Sequence, residues 1–257
     1  MSRFSNLEFN DESAGQVRRQ FSAPDANHYL GEAQAAFEQA DFEVSLRCYA
    51  KAIEFSPRSA AAWTGQVRAL IELGEPSEAS LWADKALQQF PGEPELLAAK
   101  AVALAHCGDV DGAIAFSDSS IAERGETPYV WLARGDVLLA RKERRAEYCF
   151  EKALILAAKD WFVVWLAARI RAFYRQFSLA LKLAQQALEL KPDHAVLWFF
   201  AGTCQKELGL VGAAQNSFQQ AIELNPRCQE AKLAITQLSQ TGWVGRLEGW
   251  WRRHFGK

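Results

Sequence analysis

Four histidines and five cysteines carry the most reactive side chains of this sequence, and their spacing decides what chemistry they can do. His28, His106, His194 and His254 fall in four separate segments, and Cys48, Cys107, Cys149, Cys204 and Cys228 are widely spread and never arranged as C-x-x-C. A zinc site needs three or more such ligands drawn together, and a disulfide framework needs paired cysteines in a short secreted chain, so neither is indicated. His106 beside Cys107 is the one adjacency that suggests a base and a thiol. It falls near the end of an expected helix, where a contact with the helix dipole is the plainer role. There is no G-x-x-x-x-G-K-[ST] loop and no G-x-G-x-x-G after a strand, so nucleotide binding has no support either. These residues point away from an enzyme, a metal and a cofactor.

What remains is recognition chemistry. The segment 241–257 places Trp243, Leu247, Trp250, Trp251 and His254 at helical spacing, with Arg246, Arg252, Arg253 and Lys257 against Glu248 as its charges. Indole rings and arginines together suit a membrane interface or a protein contact, including self-association, or the helix covers the end of the domain before it. Gly245, Gly249 and Gly256 weaken it as a helix, so lipid contact through it alone is expected to be weak. A second basic run, Arg141-Lys142-Glu143-Arg144-Arg145, reads as a solvated turn. The chain as a whole has a formal net charge of -2 and offers no global pull toward nucleic acid, and the few cations of the tail give too few phosphate contacts for useful affinity.

The elements that must position these groups are helices. Hydrophobic residues make up 49% of the 257 and charged residues 23%, with only 8 prolines, and alanine and leucine dominate between residues 26 and 240, which predicts an all-α chain. Met1 to Ala26 is polar and lacks the apolar core of a signal peptide, and no stretch approaches the length of a membrane span, so a reducing cytoplasm is expected, with the membrane periphery as the alternative.

Pro57 and Pro91, and again Pro192 and Pro226, stand 34 residues apart. Similar runs precede them: Tyr49-x-x-Ala52, Ala83-x-x-Ala86, Ala184-x-x-Ala187 and Phe218-x-x-Ala221. About 20 residues upstream stand Tyr29, Trp63, Leu97, Trp131, Val164 and Trp198, each followed four residues later by Ala33, Val67, Ala101, Gly135, Ala168 or Gly202, small enough for two helices to approach. Gly74, Gly108 and Gly209 mark turns between paired helices, with Ala40, Lys142 and Arg175 at or near the equivalent places. Ser59, Thr127, Asp160 and Asp193 are expected helix caps, with Pro128 at a first helical position. Repeat three lacks the proline, and repeat four is one residue short between Arg141 and Ala146.

Over residues 26–226 the chain resembles the tetratricopeptide repeat family, whose period is 34 residues. The resemblance implies a right-handed α-solenoid of about six helix-turn-helix units, at 26–59, 60–93, 94–127, 128–160, 161–194 and 195–228. A polar segment 1–25 precedes them, and a capping helix 229–240 and the tail 241–257 follow. Trp63, Trp131, Trp198, Tyr49, Phe150 and Phe218 sit at the family's packing positions and are expected in the core.

In that family the first helix of each repeat lines a concave groove. Carried onto this chain, the groove positions give small or polar residues in the first three repeats, Arg68 among them. In the last three they give Tyr129, Leu132, Asp136, Phe162, Trp165, Arg169 and Phe199. The resemblance thus implies a non-catalytic scaffold or adaptor, co-chaperone-like, binding a peptide or amphipathic helix of another protein. Some members grip a chain-terminal carboxylate through a Lys, Asn and Arg set that is not reproduced here, although Arg68 or Arg169 could each pair with a carboxylate. The competing expectation is a membrane-peripheral assembly factor held by Trp243, Leu247, Trp250, Trp251, Arg252 and Arg253.

Overall fold

The computed structural model describes residues 25–123 and 125–239. Among these the chain is helical throughout, without a strand: α1 (Ala26–Glu38), α2 (Phe42–Phe55), α3 (Ala60–Glu72), α4 (Pro76–Leu87), α5 (Pro94–Cys107), α6 (Val110–Ala122), α7 (Pro128–Ala140), α8 (Ala146–Leu156), α9 (Trp161–Phe173), α10 (Phe177–Leu190), α11 (Ala195–Glu207), α12 (Val211–Leu224) and α13 over 229–239. The first twelve form six helix pairs stacked into a solenoid, and α13 covers the last pair with Ala231, Ala234 and Leu238. The expected tail contacts, 241–257, lie outside the described residues, as does Gln240 at the end of the expected cap.

Local chemistry explains the starts and stops. Ser59, Thr127 and Asp160 accept hydrogen bonds from the backbone N–H groups of Ala62, Val130 and Phe162, and Asp25, Asp41 and Asp109 cap α1, α2 and α6 in the same way. Asp193 does not cap. α11 starts one residue later than expected, and His194 takes the cap position without a side-chain bond, its buried ring set beside Gln39 and Trp161 instead. Between the helices of each pair the chain takes one left-handed residue: Ala40, Gly74, Gly108, Lys142, Arg175 and Gly209, at φ from 56 to 89°. The shortened fourth repeat has its deficit at the start of α8, where Arg145 stands as a helical, uncapped N-cap and the helix runs for only 11 residues.

Packing follows the large-and-small pattern. Phe150 and Phe218 press on Gly135 and Gly202 so closely that a Cβ there would sit 2.9 and 2.8 Å from a ring carbon, and Tyr49 packs on Gly65 in the next repeat more closely still. Tyr49, Trp63, Phe150 and Phe218 are buried as expected, whereas Trp131 and Trp198 are half-buried. The indole N–H of Trp63 donates to the carbonyl of Pro57 at 2.9 Å and that of Trp198 to the carbonyl of Pro192 at 2.7 Å. Six residues before Trp131 stands Gly125 instead of a proline, in a differently bonded turn, and the Trp131 indole N–H has no acceptor among the described residues.

The solenoid also curls far enough for its first two repeats to meet its fifth. Phe37 of α1 touches Phe162 of α9 edge to face at 5.9 Å, and the Gln39 side-chain nitrogen lies 3.3 Å from His194 Nε2. Arg169 of α9 donates from Nε to Glu72 at the end of α3 at 2.9 Å, while its guanidinium lies over the ring of Phe42.

Candidate functional site

The curl turns the concave face into a partly enclosed cavity of about 180 Å³, walled by α3, α5, α7 and α9. Arg68, Tyr129, Leu132, Asp136 and Arg169, all expected at the groove, line it. Trp165 does not: it is fully buried, wedged among Trp161, Phe162 and the Arg169 guanidinium, and so belongs to the core and not to a free binding surface. Its position on α9 faces the seam where α9 meets the first repeats, so closure of the solenoid covers it. Phe162 is half-buried against Phe37 at that seam, and Phe199 packs on Phe218 in the C-terminal cluster, away from the cavity.

Of the 14 residues lining the cavity several were not anticipated at the groove, among them Glu72, His106, Ile170 and Phe173. Glu72, His106 and Phe173 each stand four positions after a groove residue, Arg68, Val102 or Arg169, and so lie one turn further along the same helix face. Extending the groove positions by one helical turn is the signal that finds them.

Electrostatically the cavity is built of matched pairs around one unmatched cation. His106 donates from Nε2 to Asp136 Oδ1 at 3.1 Å, and the Tyr174 hydroxyl donates to the same oxygen at 2.7 Å. The His106 ring stacks on Phe173 with centroids 4.0 Å apart. Burial works against a charge on His106, but the hydrogen bond to Asp136 and the negative fields of Asp136 and Glu72 outweigh it and raise its pKa above the ordinary value. Burial, then the Asp136 charge, pushes the Tyr174 hydroxyl far up, so it stays protonated and keeps its hydrogen for Asp136. Arg169 is matched by Glu72, with side-chain exposures of 24% and 21%. Arg68 lies over the rings of Tyr129 and Phe37, its guanidinium carbon 4.0 and 5.3 Å from their centroids.

The thiol of Cys107 lies 3.7 Å from the Ser77 hydroxyl while His106 bonds Asp136, so the adjacent pair serves two different contacts. The role of His106 is therefore a side-chain bridge between α5 and α7, beyond the expected contact with the helix end. Among the described residues no group of three or more His, Cys, Asp and Glu is placed to hold a metal ion. At the turn before α8, Glu143 pairs with both Arg141 and Arg145, which blunts the basic run there.

Models of the tetratricopeptide repeat match residues 30–94 and 195–228. The chain is 22% identical over 186 residues to the BBSome complex member BBS4 of Bos taurus, a match covering 72% of this chain and 36% of that protein, so it spans about a third of that relative's length. Among solved structures, a tetratricopeptide repeat protein from Parabacteroides merdae superposes with a TM-score of 0.54 at 14% identity, covering 85% of this chain and 86% of that one. A chain of the APC/C hetero-tetramer Cut9-Hcn1 gives 0.51 at 16% identity, covering 85% of this chain and 44% of that one. Six helix pairs in phase with two matched repeats, on a fold these structures share, make this chain a tetratricopeptide repeat protein.

Proposed function

We propose that the protein is a non-catalytic adaptor, of co-chaperone type, whose concave face binds a segment of another protein. The observation that carries this is the cavity between α3, α5, α7 and α9, apolar along Val102, Leu132 and Leu166 and rimmed by Phe173, whose side chain is 58% exposed although it stacks on His106. A concave, largely apolar space with a few oriented polar groups is the form ligand sites usually take, and aromatic and arginine side chains are the usual energetic centres of protein contacts. Because the curl narrows the groove, the occupant is read as a short anchor entering the cavity from a segment lying across its mouth, in place of a long peptide threaded along six repeats. That a curated relative is a member of a complex accords with such a role.

Blocking the cavity tests the reading. Ile170 is only half-buried at its wall, so Ile170→Trp fills the space while keeping every charged pair. In affinity capture from the source cells, a partner is expected to be retained by the full chain and by a chain ending at Gln240, and lost with folded Ile170→Trp. Retention by Ile170→Trp would move the site off the concave face. The membrane-peripheral alternative rests on the sequence of 241–257; among the described residues no helix is long and apolar enough to cross a membrane. Equal pelleting of the full and shortened chains with anionic vesicles would remove it.

A further inference from the structure

Of the two guanidinium groups in the cavity, only one is matched. Arg169 has Glu72, and Asp136 has His106 and Tyr174. Arg68 makes no hydrogen bond and no ion pair with any described residue, although it is half-buried and lines the cavity wall. Its guanidinium carbon lies 4.0 Å from the Tyr129 ring centroid and 5.3 Å from that of Phe37, and its N–H groups, which point outward within the guanidinium plane, are engaged by no described residue. These ring contacts restrain the side chain before any ligand arrives, so less of its rotamer freedom remains to be lost on binding. Arg68 is therefore the one guanidinium of the cavity with no carboxylate bonded to it among the described residues, and it stands against apolar walls where a carboxylate gains more than it does in water.

We propose that Arg68 is the receptor for a carboxylate side chain, glutamate or aspartate, that a partner inserts into this cavity beside an apolar neighbour. The inference rests on the concave face being the binding face and adds the chemistry of what enters it. The occupant follows the reading of the concave face, a side chain from a segment lying across its mouth, and a chain terminus is the alternative that the test distinguishes. The apolar neighbour meets Ile170 and Phe173 at the rim.

Three capped or uncapped tripeptides separate the outcomes: acetyl-Leu-Glu-Leu-amide, acetyl-Leu-Gln-Leu-amide, and acetyl-Leu-Gln-Leu with a free terminal carboxylate. Each is titrated into the isotopically labelled full chain while the Arg68 Nε–H and the methyl groups of Leu132 and Ile170 are followed by NMR. The glutamate peptide is expected to move all three and to bind about tenfold to a hundredfold more tightly than its glutamine counterpart, as a hydrogen-bonded charge requires. Arg68→Gln should erase that preference. Arg68→Lys, which keeps the charge without the planar fork, should reduce it, and it decides the matter if Arg68→Gln proves unfolded in a thermal melt. Preference for the free terminus overturns the side-chain assignment. Equal shifts from all three peptides overturn the role of Arg68 while leaving the concave face as a binding surface. No shift from any of them also overturns it, and the Ile170→Trp capture then judges the concave face separately.

Discussion

His106 and His194 show how far one residue type diverges when its neighbours are set by different parts of the fold. His106 meets Asp136 of the next first helix, 30 positions away, and its pKa is raised; His194 is buried at the start of α11 beside Lys191, and burial, then that charge, lowers it. The linked stabilities therefore run in opposite directions. The proton on His106 is held more tightly folded than unfolded, so its contribution is complete below the ordinary value of 6.5 and is lost as pH rises through the raised folded value. For His194 the contribution is present above 6.5 and is lost as pH falls through the lowered folded value. Ring-proton titration by NMR should place His106 above 6.5 and His194 below it, and Asp136→Asn should bring His106 down while His194 stays put. A His106 midpoint that ignores Asp136→Asn would remove the carboxylate as the cause. Neither environment was legible in the sequence: Asp136 and Phe173 reach His106 from other repeats, and His194 is buried partly by its meeting with Gln39 of the first repeat.

Within a helix pair the sequence was far more transparent. Small residues four positions after a large one predicted close approach, and Gly135 beneath Phe150 and Gly202 beneath Phe218 realise it. The left-handed turn positions, including the non-glycine Ala40, Lys142 and Arg175, follow from the same phase. The same logic fails where a repeat drops its punctuation: without a proline six residues upstream, Trp131 keeps its place on α7 but loses the carbonyl that Trp63 and Trp198 use. Close approach gives a measurable consequence. Adding a methyl group with Gly135→Ala puts carbon 2.9 Å from the tip of the Phe150 ring, and overpacking of this kind costs about 1–3 kcal/mol. Denaturant unfolding should show that loss. Phe150→Leu in the same chain should be less damaging than it is alone, since the smaller side chain vacates the contested space. Additive losses would mean that α7 and α8 shift apart without meeting at this ring.

Closure of the solenoid is the property that repeat phase could not announce, because it arises only when the small rotation between neighbouring repeats accumulates over several of them. Arrays of this kind ordinarily hold together through nearest neighbours, yet here Glu72 and Arg169, 97 positions apart, are joined, with Phe37 against Phe162 beside them. The same curl buries Trp165 and shapes the cavity from α3, α5, α7 and α9. Contacts between distant repeats link the ends into one folding unit, so the described array should unfold in a single transition with a steep dependence on denaturant. Arg169→Ala leaves the Glu72 carboxylate without its partner and strips the cation from the face of Phe42, a loss of about 1–3 kcal/mol. If the ring is what couples the ends, that substitution together with Phe37→Ala should do more than lower the midpoint: the denaturant slope should fall as the repeats begin to unfold separately, and the radius of gyration in solution scattering should rise as the solenoid opens. An unchanged slope and radius, with only the midpoint moved, would show that neighbouring repeats alone hold the curl, and that the cavity is preformed independently of the seam that closes over it.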